Sequence, residues 1–487
     1  VVSVIGDGSL TGGMAYEALN NAAHVKSNFI IVLNDNNMSI SPNVGGVSNY
    51  LSGLRTANAY TELKRGVEDT LKKIPVKGEK LVSQIKKTKS GLKQFLVPGM
   101  FFEDMGITYL GPVDGHDVRK LYKVFSEAKR LNHAVLVHVL TKKGKGYLPA
   151  EENPSRFHGT PPFVIETGEA KQTSEKDSYT DVFSKVITDV GKKDEKVVTI
   201  TAAMADGTGL NRFAKHFPDR FFDVGIAEEH ALTFAAGLAA GGMKPVVALY
   251  SSFLQRAYDQ AIHDVCLQNL PVVLAVDRAG LVGSDGETHQ GLFDLSFLTT
   301  IPNMTIMSPK NRWEMADMVR YAIDFQYPIA LRYPRGEAYE GFKEFRTPIE
   351  YGKSEMLYQE SEIAIVFVGH MAKLAKDVRE ELKNRGYSCT LVNARFVKPL
   401  DKEMLVQLAA NHRIFVTIEE NVLSGGFGQQ VLDCVERERL DVYVHSFGIP
   451  DDYVEHGNVD VLRKEVGLEK TNIVEKIITD YNIARNE

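Results

Sequence analysis

The stretch VVSVIGDGSLTGGMAYEALNNAAH, residues 1–24, is followed at 29–35 by FIIVLND. Its first five residues are almost all β-branched and lead into glycine and aspartate, a pattern typical of a strand that ends in a turn. Residues 11–24 have the spacing of a helix, and FIIVLND that of a second strand. This order predicts a right-handed βαβ unit with two parallel strands. Asp7 and Asn36 are therefore expected to meet at one edge of the sheet.

The same alternation continues along the rest of the chain. Uninterrupted apolar runs such as HAVLVHVLT at 133–141, KPVVALY at 244–250 and LPVVLAVD at 270–277 are separated by helix-length segments. Strands that are apolar throughout are typical of parallel sheets covered on both faces. The sequence therefore predicts the α/β class with mostly parallel sheets, in which ligands bind beyond the carboxyl ends of the strands.

Two polar stretches that contain proline, at 160–178 and 339–353, have the composition of linkers. They predict three domains, over residues 1–165, 166–345 and 346–487. The segment from Ser52 to Pro98 has the weakest pattern, and we expect it to be mobile over the active site.

Composition narrows the possible partners. With 487 residues the chain exceeds the size of a single core, and 57 Lys and Arg against 63 Asp and Glu give a formal charge of -6. This balance excludes a global attraction to nucleic acid or an anionic membrane. Cys266, Cys389 and Cys434 lack metal-ligand spacing and favour a reducing cytoplasm. Because Val1 begins inside a strand, we also expect further sequence upstream.

The residues at the two strand ends suggest a metal site. A carboxylate from Asp7 and an amide oxygen from Asn36 are hard ligands suited to Mg²⁺, which keeps other positions for water and phosphate oxygens. Gly8 lets an anion approach the backbone, and a helix N-terminus faces the same place. Each motif alone is more often a simple turn. The pair, joined by one helix length, is more specific.

GDG followed some thirty residues later by an asparagine-rich strand exit resembles the thiamine diphosphate motif. The resemblance implies that Asp7, Asn36 and the carbonyl of Met38 bind Mg²⁺, and that Gly8 and Ser9 contact the diphosphate of the cofactor.

A thiamine diphosphate enzyme also needs a buried carboxyl group with a raised pKa beside the cofactor's aminopyrimidine ring. Glu228 opens a helix of small residues directly after VGIA at 224–227 and is similar to the glutamate of the family signature IAE-x-HA. The resemblance implies that Glu228 activates the ring and that Phe253 stacks on it. A lone glutamate at this place is more often only a favourable charge at a helix N-terminus.

The resemblance extends over essentially the whole chain. ALYSSFLQRAYDQ at 248–260, AVDRAGLVGSDGETHQG at 275–291 and LRYPRG at 331–336 are its main strings in the middle of the sequence. They resemble the transketolase-like family, and within it the synthases that condense pyruvate with D-glyceraldehyde 3-phosphate. The implied product is 1-deoxy-D-xylulose 5-phosphate, formed with release of CO₂. This reaction opens the non-mevalonate isoprenoid pathway and supplies thiamine and pyridoxal precursors.

Further roles follow from the resemblance. Lys143 and Tyr147 are expected at the cofactor, and His289, Asp285 and His158 at the proton transfers of catalysis. The guanidinium group binds phosphate bidentately. The side chains expected to bind the acceptor and its phosphate are Tyr250, Arg256, Arg278 and Arg335.

Two alternatives remain open at this point. A plain transketolase would share the fold, the cofactor and the glutamate, although the strings around 253–260 and 278–291 fit the synthase better. The chain could also be a non-catalytic fragment or one subunit of such an enzyme. The resemblance further implies a homodimer with no nucleic-acid or membrane partner.

Overall fold

The computed structural model describes residues 1–25, 27–39, 42–56, 100–171 and 176–486. Most of the segment from Ser52 to Pro98, predicted to be mobile, lies outside these residues. The described residues group into two compact units, Val1–Thr173 with Val224–Ala227 and Ser174–Asp223 with Glu228–Glu487. The predicted boundaries of three domains stay a prediction. In the described part of the chain, no helix is long and apolar enough to cross a membrane.

The first unit is built on a four-stranded sheet. Its strands are β1 (Val2–Gly6), β2 (Phe29–Asp35), β3 (Thr108–Asp114) and β4 (Ala134–Leu140), paired in the order β1-β2-β4-β3 and all parallel. The helices are α1 (Gly13–His24), α2 (Gly45–Thr56), α3 (Met100–Asp104), α4 (Val118–Ala128) and α5 (Leu148–Glu152), with a 3₁₀ turn at Asp7–Thr11.

Both faces of this sheet are buried because alternate side chains of β2 point to opposite sides. Ile31 and Leu33 pack in one cluster with Leu19 of α1, whereas Ile30 and Val32 pack in another with Val124 of α4. The continuous apolar run of this strand thus fits a doubly covered parallel sheet.

The second unit contains two sheets. Its strands are β5 (Val197–Thr201), β6 (Phe221–Asp223), β7 (Lys244–Tyr250), β8 (Val273–Asp277), β9 (Thr305–Met307), β10 (Ile329–Arg332), β11 (Glu355–Tyr358), β12 (Glu362–Phe367), β13 (Cys389–Asn393), β14 (Phe396–Lys398), β15 (His412–Val422) and β16 (Tyr443–Ile449). The sheet orders are β14-β9-β10-β8-β7-β5-β6 and β11-β13-β12-β15-β16. In the described strands only the pairs β9 with β14 and β11 with β13 are antiparallel.

The helices of the second unit cover these sheets. They are α6 (Tyr179–Gly191), α7 (Asn211–His216), α8 (Glu228–Ala240), α9 (Ser251–Leu254), α10 (Tyr258–Gln260), α11 (Asp294–Thr299), α12 (Arg312–Asp324), α13 (Ala372–Asn384), α14 (Lys402–Ala409), α15 (Phe427–Glu438), α16 (Val459–Glu465) and α17 (Lys470–Asn486). Shorter 3₁₀ segments lie at Pro218–Arg220, Gln255–Ala257 and Gly369–Met371, and a π-helical segment lies at Ala261–Cys266. Three sheets in which nearly all strands are parallel confirm the predicted α/β class.

A buried ionic network lies within the second unit. Lys310 Nζ is 3.0 Å from Glu314 and 2.6 Å from Glu355, and Arg395 bonds the same two carboxylates at 2.8 and 2.9 Å. All four side chains are at most 3% exposed. Every charge in this network has an opposite partner, which is the condition under which buried ions are tolerated.

Candidate active site

The predicted meeting of Asp7 and Asn36 depends on two adjacent strands. β1 and β2 are parallel neighbours with Gly6 opposite Asn34, so both chains leave the sheet at the same edge. The backbone amide of Asn36 lies close enough to Asp7 to lower the pKa of its carboxyl group. The structure therefore brings these two sequence-predicted residues together.

Asp7 has the electrostatics of a cation ligand. Only 1% of this residue is exposed, and burial, with the nearby Asp35 carboxylate, raises the pKa of Asp7 to about 7. Its Oδ2 accepts a hydrogen bond from Asn43 Nδ2 at 2.7 Å, and Arg55 lies 3.6 Å away. Its Oδ1 is buried and has no hydrogen-bond partner among the described residues. An oxygen left without a donor in a polar site fits a metal ion.

The turn after β2 carries the other expected ligands. Asn36 Oδ1 accepts a hydrogen bond from the backbone N–H of Met38 at 3.1 Å, and Asn37 has a left-handed φ of 64°. This tight turn places Asn36 and Met38 side by side. In the described ranges no three His, Cys, Asp or Glu side chains converge. A site made of one carboxylate and neutral oxygens does not require such a group.

The glycine after Asp7 forms a close contact that other residues would disturb. A Cβ on Gly8 would lie 2.8 Å from the Cβ of Ser39. The 3₁₀ turn that holds Asp7, Gly8 and the exposed Ser9 precedes α1, which begins at Gly13. The absence of a side chain at Gly8 thus allows this turn to pack closely against Ser39 at the place where the diphosphate was predicted to bind.

Lys143 reaches the same turn from the segment after β4. Its Nζ donates to the Ser39 carbonyl at 2.6 Å and lies 3.0 Å from His158 Nδ1. Burial lowers the pKa of both side chains, and for His158 the Lys143 charge acts in the same direction. Tyr147, in contrast, donates its hydroxyl to the Ile165 carbonyl at 2.7 Å. The structure brings Lys143 and His158 together and gives Tyr147 a separate partner.

In the second unit, Glu228 is the first residue of α8 and is 2% exposed. Burial raises the pKa of its carboxyl group, against the opposing effect of Arg256. Arg256 Nη1 lies 2.9 Å from Oε1 and 3.1 Å from Oε2 of Glu228. The sequence predicted that Arg256 would bind the acceptor, but the structure pairs it with the glutamate. That partner could not be foreseen from sequence because it depends on how the segment after β7 folds back onto α8.

An aromatic cluster lies next to Arg256, the partner of this carboxyl group. Phe253 stacks on Tyr250 with ring centroids 5.4 Å apart and meets the His289 ring edge-on at the same distance. The Arg256 guanidinium lies 5.6 Å from the Phe253 ring centroid. Phe253, Tyr250, His289 and Glu228 therefore occupy one contiguous region of the second unit.

Two arginines complete this region. Arg278 and Arg335 each donate to Asp285 Oδ2 at 2.8 Å, and Arg278 lies 4.1 Å from the Tyr250 ring centroid. The sequence predicted Asp285 as a proton-transfer partner of His289. In the structure Asp285 instead bridges the arginines, while His289 Nδ1 lies 2.8 Å from Thr288 Oγ1.

Sequence reasoning missed a buried network behind Asp7. Asp35 Oδ2 lies 2.8 Å from His138 Nε2 and accepts from Arg55 Nε at 2.7 Å, and His138 Nδ1 is 2.7 Å from Tyr109 Oη. The signal was one histidine within the apolar strand β4 and an aspartate at the end of the apolar strand β2. Parallel neighbours at that spacing place those side chains within reach of each other.

Comparison with known proteins defines the class. Residues 175–340 match the family model of the transketolase pyrimidine binding domain, and residues 352–473 match that of the transketolase C-terminal domain. A split gene transketolase, described as an inactive beta4 tetramer, aligns with a TM-score of 0.58 and 27% identity over 63% of this chain and 98% of its own. A Campylobacter jejuni transketolase aligns with a TM-score of 0.56 and 16% identity over 98% of this chain and 77% of its own. The protein is a thiamine diphosphate-dependent transferase with a transketolase-like fold.

The particular family follows from the first domain and from the relatives. Residues 1–141 match the family model of 1-deoxy-D-xylulose-5-phosphate synthase. The synthase of Lachnoclostridium phytofermentans is 55% identical over 98% of this chain and 76% of its own length. That of Caldanaerobacter subterraneus is 50% identical over 100% of this chain and 78% of its own. The chain belongs to the 1-deoxy-D-xylulose-5-phosphate synthase family.

Proposed function

We propose that this chain condenses pyruvate with D-glyceraldehyde 3-phosphate to give 1-deoxy-D-xylulose 5-phosphate and CO₂, the first step of non-mevalonate isoprenoid synthesis. The observation that carries the proposal is 55% identity to a named synthase across 98% of the chain. The same reaction supplies precursors of thiamine and pyridoxal.

The first unit holds the diphosphate and the metal in this proposal. Mg²⁺ is bound by Asp7, Asn36 and the carbonyl of Met38, and the unpartnered Oδ1 of Asp7 supports this assignment. Gly8 and Ser9 contact the diphosphate. The Lys143 ammonium group supplies positive charge to the same anion. Tyr147 contacts the cofactor only after its hydroxyl leaves the Ile165 carbonyl.

Glu228 holds a proton for the cofactor. When bound, thiamine diphosphate would provide a carbon nucleophile for pyruvate and an electron sink for decarboxylation. Burial raises the pKa of Glu228, which favours the protonated carboxyl group, and this group would donate a hydrogen bond to the ring nitrogen of the aminopyrimidine. Phe253 packs against the face of the aminopyrimidine ring. Stacking on Tyr250 holds the Phe253 ring in its orientation.

The acceptor aldehyde binds at the arginine pair. Arg278 and Arg335 bind its phosphate bidentately, and Asp285 holds the two guanidinium groups at one place. His289 gives a proton to the oxygen of the acceptor carbonyl, while His158 holds a proton at the pyruvate oxygens. Tyr250 packs beside Arg278, and Arg256 tunes the charge of Glu228.

We also propose that the chain acts as a homodimer in the cytoplasm. The dimer rests on the family resemblance, and light scattering should give twice the 54.1 kDa chain mass. The compartment is supported by Cys266, Cys389 and Cys434, which are all buried free thiols as expected under reducing conditions.

The test measures CO₂ release from pyruvate and formation of the phosphorylated product by the full chain with thiamine diphosphate and Mg²⁺. Glu228→Gln should lower kcat at least about a hundredfold because it removes the transferable proton. Glu229→Gln is the matched control on the same helix turn and should stay near the unmodified rate. Cleavage of xylulose 5-phosphate without CO₂ release would identify a transketolase instead. Binding without any turnover would identify a non-catalytic subunit.

A further inference from the structure

The loop that follows Arg278 and carries Asp285 and His289 is closed at its base. Gly280 and Gly291 exchange backbone hydrogen bonds of 2.7 and 2.8 Å, so residues 281–290 form a closed excursion from the sheet. These two bonds fix the ends of the loop. They do not fix its position relative to Arg335, which follows a different strand.

A carboxylate from the C-terminal sheet contacts the first turn of this loop. Glu420, near the end of β15, accepts the backbone N–H of Leu281 at its Oε2, with a distance of 3.0 Å. A Cβ on Gly280 would lie 2.1 Å from the same oxygen. The glycine is therefore required for the carboxylate to reach the loop backbone.

Glu420 is itself held on both sides. Its Oε2 lies 2.7 Å from His370 Nε2, and its Oε1 accepts from Arg463 Nε at 2.7 Å. Burial alone would raise the pKa of Glu420, but Arg463 and His370 hold that pKa well below its usual range. Three hydrogen-bond donors and an exposure of 1% therefore fix the position of the Glu420 carboxylate.

Backbone and amide contacts reinforce the attachment. Gln290 accepts the Val282 N–H at 2.7 Å and donates to the Glu455 carbonyl at 3.0 Å. The backbone N–H of Gly457 donates to the Gly283 carbonyl at 3.3 Å. The loop is thus bonded to two places in the C-terminal part of the chain, the end of β15 and the segment at 455–457, and Glu420 provides the charged contact.

We propose that Glu420 is a positioning residue that presents the Arg278 and Asp285 side chains to Arg335 in the geometry that binds the acceptor phosphate. This inference rests on the proposed role of the two arginines. Arg335 also donates to the Val282 carbonyl at 3.2 Å, so a shift at Leu281 moves an atom that the second arginine contacts. A loop ordered before binding avoids the ordering cost at the moment of binding.

The experiment measures binding of glycerol 3-phosphate, which lacks the reactive aldehyde, to the full chain with thiamine diphosphate and Mg²⁺ by calorimetry. Glu420→Gln keeps the shape of the side chain. Its amide NH₂ group, however, then faces one of the three hydrogen-bond donors that the carboxylate accepts from. The affinity should fall about tenfold, the size expected for one lost charge-assisted bond. Hydrogen exchange of residues 279–291 should become faster.

Glu419→Gln is the matched control. Glu419 lies on the same strand, is also buried, and accepts the Phe427 and Gly428 amides at 2.8 and 2.7 Å without contacting the loop. It should leave both the affinity and the exchange of the loop unchanged. If Glu420→Gln fails to fold, Arg463→Gln serves in its place, since Arg463 is 30% exposed and accepts substitution more readily.

The outcomes separate the two proposals. If the unmodified chain does not bind the phosphate, or binds it equally after Arg335→Met, the assignment of the arginines is wrong and this inference falls with it. If binding depends on Arg335 but neither Glu420→Gln nor Arg463→Gln weakens it relative to the control, only the positioning role is overturned. Loss of binding with loop exchange unchanged would also refute positioning.

Discussion

Replacing Arg256 by methionine should destabilise the protein in a way that depends on pH. The Arg256 guanidinium lies 2.9 and 3.1 Å from the two oxygens of Glu228, whose side chain is 3% exposed. Methionine has a similar length but removes the charge, and with it the cation–π contact to Phe253. The ionised Glu228 carboxylate would then remain buried without its cation.

The size of the effect follows from the geometry. Two unit charges about 4 Å apart attract by roughly 1 kcal/mol in water and roughly 4 kcal/mol at an effective dielectric constant of 20. Because the Arg256 side chain is 50% exposed, solvent screening places the pair near the lower value. We expect about 1.5 kcal/mol at a pH where Glu228 is ionised, which is a fall in Tm of about 1–2 °C for a chain of 487 residues.

The direction in which the stability cost changes with pH follows from the raised pKa of Glu228. Its folded pKa lies above the ordinary value of 4.5, so the stability gained from protonation is present at low pH and is lost as the pH rises through the folded pKa. Arg256 reduces that loss. The cost of Arg256→Met should therefore be smallest where Glu228 is protonated and grow as the pH rises through its folded pKa.

The assay is thermal unfolding of four proteins between pH 5 and 8.5: the unmodified chain, Arg256→Met, Glu228→Gln and the double variant. Together they form a double-mutant cycle. Arg256→Lys, which keeps the charge, is the control and should lie close to the unmodified chain. An equal fall in Tm whether or not Glu228 is present would refute the reasoning, because the pair would then contribute nothing.

Three further predictions concern the diphosphate turn and the buried ions. Since the pKa of Asp7 is about 7, Mg²⁺ affinity measured by calorimetry should fall as the pH drops below 7, and Asp7→Asn should bind Mg²⁺ weakly at every pH. Gly8→Ala should weaken thiamine diphosphate binding about tenfold because its Cβ meets Ser39, and Gly13→Ala, which meets nothing within 4 Å, should not. Equal affinity in both alanine variants would contradict this. Lys310→Met should cost about 3–5 kcal/mol, because two buried carboxylates, Glu314 and Glu355, would then share Arg395 as their one remaining cation in this network, and a calorimetric melt unchanged from that of the parent would count against it.

The fold class and one pair of site residues could be predicted from local patterns. Continuous apolar strands separated by helices indicate a parallel sheet. Because neighbouring strands are parallel, Asp7 and Asn36 lie at the same edge of that sheet. The partners of Arg256 and Asp285 could not be predicted. Both depend on how a loop returns to the sheet, which is set by glycine conformations and by contacts from distant parts of the chain.

The partners within buried polar networks also could not be predicted from the sequence. His138 and Asp35 are separated by 103 positions, and only the register of β2 against β4 brings them together. Glu420 contacts Leu281 across 139 positions. A charged residue inside an apolar strand indicates a buried partner, but the identity of that partner comes only from the sheet order.

The bridge that Asp285 makes between Arg278 and Arg335 has a consequence for turnover. One carboxylate between two guanidinium groups leaves a single positive charge in excess, so an arriving phosphate dianion must share donors that are already engaged. On the proposed roles, the acceptor and the product carry the same phosphate group. A site of moderate attraction therefore lets the product leave, whereas an unopposed arginine pair would retain it.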